Sequence, residues 1–465
     1  MDTEQTHRTG TRRRILIDCT TTFAHDRNTG IQRVVRNIAN TAPGIGAEMG
    51  LECRPVVFTK SAGCQLIASL PVSAADSGPA AASVSTWKNR LAGWKHRLRD
   101  RLRRSILALG LYKPAYRLVR LLESGARLGL RPLRLLRHRG LQFDEGDVLL
   151  LAEIAFQDHF PRQMHEAKRR GALVGVIVYD LLPLRYQEFF TEYGTQMFRE
   201  WWEKVVGVAD FFVYISDATG RDVQAYLQEQ PAADAGTCRA IPGRTFRLGA
   251  ELDGSLDETN VRERFPRMFA DSSDENVYLM VSTIERHKNH QVVLDAFDEL
   301  WARDVPVKLL LFGKHGTNVG HITKRIYGHP QFNRRLFWIE DGRDAELEFC
   351  FRRASALITA SHNEGFNLPI VEALSRGCPV LASDIPVHHE VGGRFAAYFP
   401  TRDSAALARL VQEHQQAGRQ LAADHPRNFH WPDWSESCRE LLERVSELSS
   451  ECDRGEMQTN RERAA

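Results

Sequence analysis

No C-x-x-C pair occurs among the eight cysteines (19, 53, 64, 238, 350, 378, 438 and 452), which are scattered along 465 residues. Such thiols suit a reducing compartment, where they serve as small core residues rather than a disulfide framework. There is no D-x-D triplet, and the 17 histidines show no ligand spacing, since His388 and His389 are adjacent and their side chains diverge. No metal is expected, and no cofactor. The chain opens without a cationic-plus-apolar leader, residues 1–14 being polar and basic throughout. No uninterrupted apolar run approaches the roughly 20 residues that span a bilayer. These absences lead us to expect a cytoplasmic protein.

What the chain does have is a conventional globular composition, 43% hydrophobic and 26% charged, at a length that calls for two to three domains. Its net charge of +3 is unevenly spread. Residues 87–139 hold 16 Lys or Arg against two acids, a local +14 that leaves the remainder at −11. Before this stretch, residues 71–86 are rich in Pro, Ser, Ala and Gly and read as a linker. Within it, Leu91, Trp94, Leu98, Leu102, Ile106 and Leu109 recur at helical spacing among arginines, a cationic amphipathic helix. Three readings stay open: attachment to an anionic membrane surface on the inner face of the plasma membrane, a partner-binding arm, or a solvated insert packed on the first domain. Nucleic acid is not expected, for the segment lacks an aromatic stacking pattern and any recognisable module.

Short apolar strands alternate with helices in two series. The first holds Ile15–Asp18, 148–151, 174–179 and 211–215; the second holds 277–281, 307–312, 336–339, 356–358 and 379–381. Apolar strands separated by helices predict parallel sheets covered on both faces. We therefore expect an α/β protein of two Rossmann-like, doubly wound domains facing a cleft. The expected boundaries are a basic tail (1–14), a first domain (15–252, including the 71–139 linker and insert), a second domain (253–432), a closing helix (433–449) and a flexible tail (450–465).

The most informative stretch is Ser361-His362-Asn363-Glu364-Gly365-Phe366-Asn367-Leu368-Pro369-Ile370-Val371-Glu372. Pro suits a first helical turn, so Glu364 belongs to a loop at a helix mouth and Glu372 to the helix itself. A helix N-terminus offers free N–H groups to a phosphate. Carboxylates repel phosphate and are better explained as acceptors for sugar or ribose hydroxyls. The arrangement reads as a nucleotide-sugar site.

These residues resemble the E-x7-E motif of retaining glycosyltransferase family 4, whose fold is GT-B. Ser282–His290, Leu311-Phe312-Gly313-Lys314, Ser383–Gly393, Thr29-Gly30-Ile31-Gln32-Arg33 and Ser216-Asp217-Ala218-Thr219 resemble further segments of that family. The resemblance implies that Glu364 holds the transferred sugar, Glu372 the ribose, and Lys288 the departing diphosphate. The backbone of Gly365, Phe366 and Asn367, leading into Leu368, would meet the sugar or diphosphate, with Gly313 on the neighbouring turn. Gly30 would let the first domain approach the phosphate. Relatives carry Arg five residues before the Lys, where this chain has Thr283, so Arg286 or a protonated His287 is expected to give the second positive charge. Tyr179 stands where relatives have His, and Asp180 beside it is a candidate for the catalytic face. The implied function is metal-independent transfer of a hexose from a nucleoside-diphosphate sugar, GDP-mannose first, to a glycan or lipid-linked glycan, as in bacterial mannosyl- and rhamnosyltransferases of surface-polysaccharide assembly. A GT-B epimerase and a non-catalytic glycan-binding scaffold are the competing readings.

Overall fold

The computed structural model describes residues 13–24, 30–59, 63–70, 140–156, 160–229, 241–251, 261–270, 276–417 and 422–464. The linker, the basic insert and the 252–260 boundary lie outside these residues. Thirteen strands among the described residues form two sheets. The first joins β1 (Arg14–Asp18), β2 (Glu52–Thr59), β3 (Gly63–Leu66), β4 (Val148–Leu151), β5 (Leu173–Val178), β6 (Phe211–Tyr214) and β7 (Gly243–Thr245) in the order β3-β2-β1-β4-β5-β6-β7. All neighbours are parallel except β2 and β3.

The second sheet holds β8 (Asn276–Val281), β9 (Val307–Phe312), β10 (Leu336–Ile339), β11 (Ala356–Thr359), β12 (Val380–Ser383) and β13 (Ala396–Phe399). It is wholly parallel, ordered β10-β9-β8-β11-β12-β13, the doubly wound order of a dinucleotide-type fold. The continuous apolar runs explain this burial: every residue of β4, β5 and β9 is buried, as strands covered by helices on both faces require. The expected two-domain α/β architecture is thus the one found.

Two features of such a sheet decide where chemistry sits. Ligands bind outside the carboxyl ends of the strands, where the strand order reverses. In the second sheet that point lies between β8 and β11. The loops leaving these two strands are Ser282–Asn289 and Ala360–Asn367, the segments already singled out by their residues. Helix α1 (Gly30–Glu48) and helix α2 (Asp217–Glu229) belong to the first domain, and α3 (Leu368–Ser375) and α4 (Pro386–Gly392) to the second.

The last helix, α5 (Trp434–Ala464), corrects an expectation. It does not end near residue 449 in a flexible tail but continues to Ala464, with no proline along its length to stop it. Its far part is also held by tertiary contacts. Arg13 bonds Ser449 and Asp453, Arg244 bonds Glu451 at 2.7 Å, and Cys452 is buried against the Asp210 carbonyl. The helix crosses from the second domain onto the first, burying Cys438, Leu441, Leu442, Val445 and Leu448 there. Among the described residues, no helix is long and apolar enough to cross a membrane.

Candidate active site

The loop after β8 is shaped by its neighbour after β9. Ser282 and Ile284 donate backbone N–H bonds to Phe312 and Lys314, so the two loops run side by side. Gly313 makes this possible: its φ is +155°, and a Cβ there would lie 2.0 Å from the Ser282 carbonyl oxygen. The β8 loop then closes in a tight turn, Arg286–Lys288, ended by Asn289 in the left-handed region (φ 58°). The Asn289 side chain is fixed by donating to Thr401 O at 2.8 Å.

That turn presents Lys288 to the loop after β11. Lys288 Nζ donates to Glu364 Oε1 at 2.5 Å, and Ser361 Oγ donates to the same oxygen at 2.6 Å. Burial pushes the Glu364 carboxyl up, but the charge and hydrogen bond of Lys288 and the bond from Ser361 outweigh it and hold the group below its ordinary value. Glu364 is therefore an ionised acceptor at neutral pH. The loop enters α3 through Asn367, left-handed at φ 80°, with Pro369 in the first turn. Asn367 Nδ2 donates to Thr359 Oγ1 and to His388 Nε2, each at 2.8 Å. His388 is held near pKa 4 mainly by burial, so its ring is neutral and its other nitrogen faces the Ser383 carbonyl at 2.9 Å. The loop's conformation is thus braced from behind.

The first domain closes the site from the other side. Gly365 abuts it: Ser216 Oγ donates to the Gly365 carbonyl at 2.6 Å, and Thr219 Oγ1 lies 3.1 Å from the same oxygen. A Cβ at Gly365 would stand 1.9 Å from the Tyr179 carbonyl oxygen. The Glu390 carboxylate on α4 accepts the Asp217 and Ala218 N–H groups at 2.6 and 2.8 Å, capping α2 across the cleft. Phe189 stacks on His362 and Phe190 on His287, at 4.8 and 5.6 Å between ring centres. Arg33, in the first turn of α1, forms an ion pair with Glu372 of α3.

Asp180 follows β5 and joins this group. Burial raises its carboxyl to about 6; the Leu182 N–H, accepted at 3.0 Å, and Lys288 pull it down, while nearby Glu364 pushes it further up. Because the ordinary value is 3.8, the unfolded chain ionises first, and the wild type loses stability as pH rises from about 4 through 6. Asp180→Asn keeps an acceptor for Leu182 and is expected to stabilise the protein by about 1–3 kcal/mol at pH 7.5. The gain should vanish at pH 4. Thermal melts at the two pH values check this, and equal shifts at both would refute it.

The remaining expected residues are placed as follows. His287 is not a second cation: burial and Lys288 lower it to about 4, and its ring is packed under Phe190. Arg286 is exposed, and Thr283 lies half-buried beside Gly313. Tyr179 does not present its ring to the cleft, since its buried hydroxyl donates to Ala152 O at 2.8 Å. The Phe366 side chain packs edge-on against Trp431, and Leu368 is buried at the start of α3. Gly30 opens α1 in the open, where a Cβ would meet nothing. Residues not singled out for the site were Arg33, Ser361, Phe189 and Phe190. Of these Ser361 opened the most informative stretch, and Arg33 stands three positions after Gly30 and so on the same face of the helix.

Comparison with known proteins accords with this geometry. Residues 261–418 match the family described as Glycosyl transferases group 1. A serotype-specific mannosyltransferase of Escherichia coli is 32% identical over 309 residues, covering 65% of this chain and 37% of that protein. An O-antigen chain mannosyltransferase of Salmonella typhimurium is 26% identical over 143 residues, 30% of this chain and 39% of that protein. The chain thus spans somewhat over a third of the length of these curated relatives. Sucrose-phosphate synthase from Thermosynechococcus elongatus superposes over 98% of this chain and 100% of its own with a TM-score of 0.51 at 15% identity, a likeness of fold alone. That fold is the GT-B arrangement expected from the sequence.

Proposed function

We propose that this chain, a GT-B protein with a group 1 glycosyl transferase match in its second domain, is a retaining hexosyltransferase. It would move a hexose, mannose first, from a nucleoside-diphosphate sugar such as GDP-mannose to a glycan or lipid-linked glycan in surface-polysaccharide assembly. The mannosyltransferase relatives support the choice of sugar and pathway. The observation that carries the reading is the Lys288–Glu364–Ser361 cluster at the switch point of the second sheet, with Asp180 brought to it from the other domain.

Breaking the bond between an anomeric carbon and a diphosphate builds positive charge on the sugar and negative charge on the leaving group. Lys288 stands where a fixed cation would stabilise that leaving group without reorganisation. Glu364, kept ionised by Lys288, accepts sugar hydroxyls, and Glu372 those of the ribose. The backbone N–H groups leading into α3 face the diphosphate, and α3 directs its positive end there. Asp180, from the acceptor side, borders the reacting carbon. These interactions neutralise the leaving group with protein groups alone, so transfer is expected to persist in EDTA.

The test is a binding and turnover screen of nucleoside-diphosphate hexoses, with the anomeric configuration of any product read by NMR. GDP-mannose turnover with retention supports the reading. A wild-type protein that binds no nucleotide sugar overturns it, and an inverted product overturns its stereochemical part.

A further inference from the structure

Each carboxylate of the Glu364–Glu372 motif is matched by one cation, and the two cations come from different domains. Lys288 belongs to the second domain's own loop. Arg33 is carried by α1 of the first domain and reaches Glu372 across the cleft. Glu372 is almost wholly buried and the Arg33 side chain is only 11% exposed. One nitrogen of the guanidinium, Nη2, bonds Glu372, while Nε is buried with no partner among the described residues. A buried donor of this kind costs free energy unless something accepts from it. Arg376, the other guanidinium near Glu372, is bonded through Nε to Glu348 and through Nη1 to Ala250 O and Glu372 O.

No second cation is fixed against the donor loops at the places where sequence alone would look for it. Position 283 is Thr, Arg286 is exposed, and His287 is neutral beneath Phe190. A diphosphate leaving group carries more charge than Lys288 alone can meet. Arg33 is one turn into a helix whose N-terminus opens on the same cleft, and its planar fork suits two phosphate oxygens at once.

We propose that Arg33 is the second cation of the donor diphosphate, delivered by the first domain and held in line by Glu372. Full charge neutralisation of the leaving group then requires the two domains to be together, so Lys288 alone serves the departing diphosphate in the open arrangement and both cations serve it in the closed one. This assignment rests on the nucleotide-sugar reading above and adds a residue to it.

The experiment compares GDP with guanosine by titration calorimetry at constant salt. Arg33→Gln is expected to weaken GDP by about 10- to 100-fold while leaving guanosine within about twofold. Arg33→Lys should recover part of the loss. Equal weakening of both ligands would show that Arg33 merely orients Glu372 for the ribose, and unchanged binding of both would show a strut between domains; either result overturns the proposal. Should Arg33→Gln fail to fold because Glu372 is left buried and unpaired, the Arg33→Gln/Glu372→Gln double variant removes both charges. Its GDP-to-guanosine affinity ratio must then fall about 10-fold or more below that of Glu372→Gln alone. A wild type that binds no GDP or other nucleoside diphosphate would instead remove the nucleotide-sugar reading, and this assignment with it.

Discussion

Glu364→Gln is expected to lower kcat/KM for sugar transfer by about 10²- to 10³-fold or more while nucleoside-diphosphate affinity changes by only a few-fold. The amide is the same size and still offers one oxygen to Ser361, so the loop keeps its shape. What it loses is charge. An ionised carboxylate held below its ordinary pKa fixes Lys288 and, in the proposed reaction, would face the developing positive charge on the sugar. The amide does neither in full, and the deficit grows as the transition state is approached. The loss should therefore appear in kcat rather than in the affinity for the diphosphate. Initial-rate kinetics beside a GDP titration separate the two, and a variant with near wild-type kcat would remove Glu364 from the reaction.

Gly365→Ala is expected to abolish transfer by a different route. The added methyl would sit 1.9 Å from the Tyr179 carbonyl oxygen, far inside contact distance, and both partners are backbone-fixed. No side chain can rotate away. Relief requires the first domain to withdraw, which also breaks the bonds from Ser216 and Thr219 to the Gly365 carbonyl. The proposed donor residues Glu364, Lys288 and Glu372 all lie on the second domain and stay together, so part of the donor affinity should survive. Asp180 and Arg33 would be carried off. We expect a fall in transfer rate of at least ~10²-fold, as misplacing a catalytic group by an ångström or more produces. Small-angle scattering should report a larger radius of gyration with circular dichroism unchanged. Gly44→Ala, on α1 of the first domain, is the control, since its Cβ meets nothing among the described residues and the effect should be slight. A Gly365→Ala protein that is as compact and active as wild type would show the interdomain contact to be dispensable.

The parallel core was legible because strands covered by helices read as nearly continuous apolar runs, with Lys308 in β9 an exception. Val148–Leu151, Val307–Phe312 and Leu336–Ile339 occupy the strands read from sequence to the residue. Strand β2 escaped notice because Glu52, Arg54 and Pro55 interrupt its apolar run, and β3 because it is a four-residue antiparallel edge. In the site, the Glu364–Lys288 pair could be inferred since each residue stands in a recognisable loop. The Arg33–Glu372 pair could not: 339 positions separate the partners, and only closure of two domains brings them together. His287 shows a second limit. Its charge depends on desolvation under Phe190, and a residue's depth is a property of the fold rather than of its neighbours in the chain.

The course of α5 bears on how the protein is made. Strand β7 ends at Thr245, yet the helix that covers α1 and the β6–β7 side of the first domain begins only at Trp434. Roughly 190 residues of synthesis separate the two, or about 10–40 s at ordinary ribosomal rates. Through that interval the first domain emerges with an oily flank that, among the described residues, only α5 covers. Until Leu441, Leu442, Val445 and Leu448 arrive, that flank is a natural seat for a chaperone, and premature termination in this span should yield a sticky fragment rather than a smaller working protein.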